Sequence, residues 1–235
     1  MNIVIPIIIL AGGVAACFMG KLTPWGSLTG IIIAMLVFYS VGLAGVLGMV
    51  SFFILGTAAT SWRSTYKEKT GISKIGEGMR NMGQVLANGG AAGLISIMAL
   101  LAGSTCFWAA LVAATFASAT ADTLSSELGT LYGKRFYNIL SFKKDQRGLD
   151  GVISLEGTLI GIGGSCIVAL IHCFSCGWDI SFILIVIAGT IGNLADSVLG
   201  ASLERSRLIG NNAVNFLNTA IAAISYYLLF MVFQQ

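Results

Sequence analysis

Apolar residues along the chain fall into eight long runs separated by short polar segments. The runs cover residues 2–19, 25–40, 41–62, 82–101, 105–121, 152–173, 180–201 and 213–233. A helix that crosses a bilayer needs about 20 apolar residues. Only a helix or a closed barrel satisfies its own backbone in lipid. Barrel strands are shorter and alternate polar with apolar positions, whereas these runs are long and continuous. The pattern predicts an all-α fold, a polytopic membrane helical bundle of about eight transmembrane helices. The chain reads as one integral membrane domain, residues 1–235, with loops near 63–81, 122–151 and 202–212. The run at 25–40 is short, so its boundary with the next is open.

Composition narrows the class. Of 235 residues, 56% are hydrophobic and 10% charged, where soluble domains are about 25% charged. That excludes a water-soluble domain, a disordered chain, a disulfide scaffold and a nucleic-acid binder, and it makes the lipid bilayer the first partner. All 13 basic residues fall in odd-numbered loops. Lys21 is in the first; Arg63, Lys67, Lys69, Lys74 and Arg80 in the third; Lys134, Arg135, Lys143, Lys144 and Arg147 in the fifth; Arg205 and Arg207 in the seventh. With eight spans these loops share one side, and positive charge favours the cytoplasm. Both termini are then expected outside. The first run lacks a basic segment before it, so a cleaved signal peptide is not expected, although Val14-Ala15-Ala16-Cys17 has the spacing of a lipoprotein cleavage site.

Polar side chains within membrane segments are costly and mark candidate sites. Four clusters fall at the cytoplasmic helix ends of this topology. Asn81, Gln84 and Asn88 lie on one helix face beside Arg80, followed by Gly89, Gly90 and Gly93. Asp122, Ser125, Ser126 and Gly129 share a face, and Glu127 lies roughly 140° from Asp122 on an ideal helix. The two carboxylates serve one ion only if the helix is distorted; otherwise they serve different partners. Asn193, Asp196, Ser197 and Gly200 form the third cluster, continued by Glu204 and Arg207. Asn211, Asn215 and Asn218 form the fourth. Such amides hold a sugar, a base or phosphate oxygens, or they hydrogen-bond helices to each other. Carboxylates beside hydroxyls suit Mg²⁺ carrying phosphate. The segment Gly148-Leu149-Asp150-Gly151-Val152-Ile153-Ser154 opens a helix among basic residues, and glycines there expose N–H groups to an anion. His172, Cys173 and Cys176 make an incomplete zinc set or a disulfide facing outside.

Five segments, in order, resemble one known family. They are Lys21-Leu22-Thr23-Pro24-Trp25-Gly26; Gln84-Val85-Leu86-Ala87-Asn88-Gly89; Ala121-Asp122-Thr123 with Ser126-Glu127-Leu128-Gly129; Ser154 with Gly157-Thr158; and Asp196-Ser197 with Leu199-Gly200-Ala201. The family is a group of integral membrane proteins, long of unknown function, that includes the phytyl-phosphate kinases of plants and cyanobacteria. Its loop usually reads closer to Gly-Thr-Asp-Gly-Gly-Val-Ser, where this chain has Leu149 and Val152. The resemblance implies phosphoryl transfer from a nucleoside triphosphate, often CTP, to an isoprenyl monophosphate.

On that basis Asp122, Glu127 and Asp196 are expected to hold Mg²⁺ and carry catalysis. Arg80, Lys134, Lys143 and Arg147 are candidates for the phosphates. Gln84, Asn88, Asn193, Asn215 and Asn218 are candidates for orienting nucleotide or phosphate, with Asp150, Ser154 and Ser197 at the same end. The site is expected on the cytoplasmic side, and a homo-oligomer is compatible with the sequence. The competing activities are a CTP-dependent lipid cytidylyltransferase and a prenol kinase. An ion-coupled transporter is the rival from another class, but it should carry polar residues near the midplane and on both sides.

Overall fold

The computed structural model describes residues 3–63, 78–103 and 105–233. Lys67, Lys69 and Lys74 of the charge argument lie outside these described residues. Eight α-helices are present among them: α1 (Val4–Phe18), α2 (Pro24–Val41), α3 (Leu43–Ser61), α4 (Met82–Ala102), α5 (Cys106–Tyr132), α6 (Leu155–Cys176), α7 (Ser181–Leu199) and α8 (Asn211–Phe233). The helices α2 to α8 are long and apolar enough to cross a membrane. α1 has 15 residues. At 1.5 Å per residue it spans about 22 Å, short of a hydrocarbon core of about 30 Å. The first of the eight expected spans is therefore a helix, but not one of spanning length.

Local sequence chemistry sets the helix ends. Pro24 opens α2, where a missing N–H costs nothing, and Thr23 Oγ1 accepts from Gly26 N at 3.1 Å. Gly42, at φ +78°, separates α2 from α3 and fixes the boundary that the apolar pattern leaves open. Asn81 and Gln84 form a reciprocal capping box at the start of α4, which satisfies two otherwise orphaned donors. Ser154 caps α6 through Gly157 N at 3.1 Å. α7 runs into a π-helical turn, Gly200–Glu204, a distortion that is frequent at functional sites.

The core is built around α5, which packs against α3, α4, α6, α7 and α8. Every residue from Ala109 to Ala121 is buried, and most are Ala, Ser or Thr. Lipid offers no hydrophobic drive for helix association, so small residues and close backbone packing supply it. Gly129 and Gly157 show how tight this is: a Cβ on Gly129 would lie 2.7 Å from Gly157 Cα.

α5 is 27 residues long, about 40 Å, and continues past Ala121 to Tyr132. The expected loop at 122–151 is corrected accordingly: Asp122, Ser125, Ser126 and Glu127 sit on helical turns, and the connection begins at Gly133. Two short strands, β1 (Tyr137–Asn138) and β2 (Val152–Ile153), pair antiparallel there with Tyr137 opposite Ile153. Gly151, at φ +73°, turns the loop against Ser197 and Ala201. Arg205 then pins it, donating through Nε to the Asp150 carbonyl at 2.6 Å and pairing with Asp145 at 3.0 Å.

At the opposite end of the bundle a disulfide joins Cys106, at the start of α5, to Cys176, at the end of α6. The sequence left Cys173 and Cys176 as the candidate pair. Cys173 is instead a free, buried thiol.

Candidate active site

The four polar clusters meet at one end of the bundle, around a cleft of about 430 Å³. Its walls have two kinds of helix end. The first turns of α4, α6 and α8 present Gln84 and Asn88, Ser154, Gly157 and Thr158, and Asn211 and Asn215. Facing them are the last turns of α5, with Asp122, Ser125, Ser126, Glu127 and Thr130, and of α7, with Asn193, Asp196 and Ser197. Helix N-termini carry partial positive charge and unpaired N–H groups, which favour anions. The carboxylates favour a cation. The loop 148–153 forms a further wall.

Eleven sequence candidates line this cleft: Arg80, Gln84, Asn88, Asp122, Glu127, Asp150, Ser154, Asn193, Asp196, Ser197 and Asn215. Four do not. Lys134 lines a neighbouring groove with Arg135, Tyr137, Leu155 and Glu156, which shares Ile153, Ser154 and Thr158 with the cleft. Lys143 and Arg147 lie on the exposed loop and line neither cavity. Asn218 is buried behind Asp196.

Among the described residues, Arg80 is the basic side chain at the cleft wall. Its guanidinium lies 5.4 Å from the Phe52 ring centre and 5.8 Å from that of Phe53. Gly56 makes room for it, since a Cβ there would fall 3.0 Å from an Arg80 Nη. Its backbone is held by the Lys21–Thr23 segment, through Arg80 N to Lys21 O and Thr23 N to Arg80 O, each at 3.0 Å. Burial pulls the Arg80 pKa down from the ordinary arginine value, and the Glu127 carboxylate pulls it up. The guanidinium stays charged.

Partly buried hydrogen bonds hold side chains of the cleft. Ser125 Oγ donates to Asn193 Oδ1 at 3.0 Å, tying α5 to α7. Asn88 Nδ2 donates to the Gln84 carbonyl at 3.0 Å. Gln84 is at once the partner of Asn81 in the capping box and a lining residue, so its carbonyl oxygen stabilises the helix start.

Among the described residues, no three Asp, Glu, His or Cys side chains gather into a metal-holding group. Asp122, Glu127 and Asp196 line one cleft without converging. That suits Mg²⁺ better than a caged metal, because Mg²⁺ keeps water and is held by one or two carboxylates plus substrate phosphates. His172, Cys173 and Cys176 form no such group either.

Thr60, Thr130 and Phe136 line the cleft with no role read for them in the sequence, while Asn211 and Glu204 of the polar clusters and Thr123 of the family-like segment line it as well. Thr60 and Thr130 carry no signal, since hydroxyls are common in membrane helices. Glu204 lay on the helical stripe that continues from Asp196, which was the clue to it.

Comparison with known proteins fits the fold. The model of the integral membrane protein family DUF92 matches residues 7–223. The chain is 32% identical to the Arabidopsis thaliana protein named "Protein VTE6, chloroplastic" over 225 residues. That match takes in 91% of this chain and 63% of the relative, so the chain covers less than two thirds of that relative's length. It is 35% identical to an uncharacterized membrane protein of Methanocaldococcus jannaschii, across 82% of this chain and 79% of the relative. An uncharacterized membrane protein of Synechocystis is 31% identical across 86% of this chain and 80% of its own length. No solved structure matches the chain. With the family model covering nearly the whole bundle and every helix that walls the cleft, the chain belongs to the integral membrane protein family DUF92.

Proposed function

We propose that this protein is a membrane-embedded kinase that transfers a phosphoryl group from a nucleoside triphosphate, CTP favoured, to an isoprenyl monophosphate such as phytyl or geranylgeranyl phosphate. One observation carries the reading: a single cleft in which three helix N-termini face the carboxylate-bearing ends of two others. A magnesium–nucleotide complex has that same charge distribution, anionic phosphates beside a bound cation. The apolar helix flanks beside the cleft suit an acceptor whose hydrocarbon tail stays in the bilayer.

In the proposed reaction an oxygen of the acceptor phosphate attacks the γ-phosphorus. The bond from that phosphorus to the bridging oxygen breaks, and the nucleoside diphosphate leaves. The acceptor is already ionised, so no strong base is needed, and catalysis is positioning plus charge neutralisation. Arg80 and the first turns of α4, α6 and α8 are assigned to the phosphates. Asn88, Asn193 and Asn215 are assigned to orienting nucleotide or phosphate. Asp122, Asp196 and Glu127 would hold Mg²⁺, whose chemistry is to neutralise charge on the phosphate oxygens. The cleft end carries the basic loops, so it is proposed to face the cytoplasm, where nucleotides are.

The test is product analysis. Purified protein with Mg²⁺ is given labelled CTP, ATP, GTP or UTP and phytyl, geranylgeranyl or farnesyl monophosphate. The expected result is an isoprenyl diphosphate with release of nucleoside diphosphate. A CDP-lipid with release of pyrophosphate would assign a cytidylyltransferase instead, and turnover of the free prenol alone a prenol kinase. Folded protein that binds no nucleotide would move the assignment to transport.

A further inference from the structure

Asn218 stands one layer behind the cleft on α8 and is fully buried, at 0% exposure. Its Nδ2 donates to Asp196 Oδ2 on α7 at 2.6 Å. Its Oδ1 accepts from Ser118 Oγ on α5 at 3.1 Å. The three side chains form a directed relay, hydroxyl to amide to carboxylate. An ionised carboxylate only accepts, so the amide must turn its NH₂ toward Asp196. Its oxygen then faces Ser118, whose hydroxyl supplies the matching donor. Gly192, one helical turn before Asp196, makes the approach fit. A Cβ there would lie 2.8 Å from the Asn218 carbonyl oxygen and 2.8 Å from Ser118 Cβ.

We propose that Asn218, oriented by Ser118, is a positioning residue that fixes the Asp196 carboxylate at the cleft wall for a magnesium–nucleotide. This rests on the reading of Asp196 as a cation-holding carboxylate. Neither Asn218 nor Ser118 lines the cleft, so the pair acts through Asp196 alone. Outer partners of this kind set the orientation of a ligating carboxylate, and their loss costs about 10- to 100-fold in metal affinity or activity. A purely helix-linking asparagine would lower stability and leave cation affinity unchanged.

The experiment measures binding of Mn²⁺ alone to the full-length protein in detergent, by loss of the free-ion paramagnetic resonance signal. Variants are Asn218→Leu, Ser118→Ala and Ser118→Thr. Asn218→Leu is expected to weaken Mn²⁺ binding by about tenfold or more. Ser118→Ala weakens it severalfold, and Ser118→Thr, which keeps the hydroxyl, restores it. In the kinase assay the same order appears in the half-saturating Mg²⁺ concentration, while the KM for the isoprenyl phosphate stays put. If Asn218→Leu does not fold, the Ser118 pair decides alone. Equal Mn²⁺ affinities across folded variants, or no Mn²⁺ uptake by the unaltered protein, overturn the proposal. Active protein with unmoved Mn²⁺ affinity would remove the relay and keep the kinase. Shifted Mn²⁺ affinity without turnover of any nucleotide and lipid pair would keep the relay and remove the kinase.

Discussion

The two ends of the bundle are built from the same helices and solve different problems. At the cleft end, helix N-termini, amides and carboxylates surround a cavity. At the other end the helices close on aromatic rings and a cross-link. Phe107 packs at 4.9 Å on Phe230 and at 6.4 Å on Tyr226, and Trp178 lies 5.9 Å from Phe182. Tyr226 donates to Ser181 Oγ at 3.0 Å, and Ser181 N donates to Asp179 at 2.8 Å. Eight acidic residues lie in the described segments, and Asp179 alone among them belongs to this aromatic end. Aromatic rings anchor helix ends at a membrane interface. Polar groups are admitted to a membrane protein where they line protein-enclosed space, and the proposed function rests on this asymmetry between the two ends.

The strongest way to break this comparison is to neutralise one carboxylate at each end. Asp196→Asn or Asp122→Asn is expected to fold and to lose on the order of 10²-fold or more in kcat, by analogy with removing one preorganised electrostatic group. Asp179→Ala should stay within about twofold of unaltered activity while lowering thermal stability, since replacing a capping acceptor by Ala costs about 1 kcal/mol. Activity assays beside thermal melts check both. Equal activity losses at both ends would erase the distinction.

The cross-link gives the converse test. Cys106→Ser should lower the unfolding temperature, because a bridge across a separation of 70 residues restrains the unfolded chain by about 2 kcal/mol or more. Activity per folded molecule should not change. Arg80→Lys should raise the nucleotide KM by about tenfold, because a compact ammonium lacks the planar guanidinium that lies over the Phe52 and Phe53 rings. Steady-state kinetics with varied CTP measure it.

Smaller effects are expected from the loop beside the cleft. Arg205→Gln should raise the nucleotide KM severalfold by loosening residues 145–151. The Gln146 backbone N–H and the Arg205 guanidinium hold the Asp145 carboxyl below the usual aspartate range. A depressed carboxylate stabilises the folded loop above the ordinary value of about 3.9, and that contribution fades as pH falls below it. The loop should therefore hold constant from neutral pH down to about 4 and loosen only in stronger acid, which proteolysis of the loop as a function of pH would follow. Lys143→Gln and Arg147→Gln, whose side chains line neither cavity, should change KM less than twofold.

The asymmetry was largely legible in the sequence. The apolar runs gave the helices, the basic loops gave a common side, and the amide and carboxylate spacings put their residues at that side. Other features were not, for physical reasons. Asp122 to Tyr132 read as loop because charges interrupt the apolar run, yet these turns stay helical where they face an enclosed cleft rather than lipid. Cysteine connectivity depends on which helix ends meet in space, so Cys106 gave no signal. Asn215 and Asn218 share a helix stripe, and only packing shows that the first meets the cleft while the second is held by Ser118 and Asp196. Lys143 and Arg147 carry the right charge for phosphate, but the hairpin of β1 and β2 holds them outside.

The most direct test is a pair of reactions with CTP labelled at the γ- or the α-phosphorus, each with phytyl monophosphate, in unaltered protein and in Asp196→Asn. The account predicts γ-label in the lipid product, no α-label, and near-complete loss in the variant. Lipid carrying α-label, or full γ-transfer by folded Asp196→Asn, would contradict it.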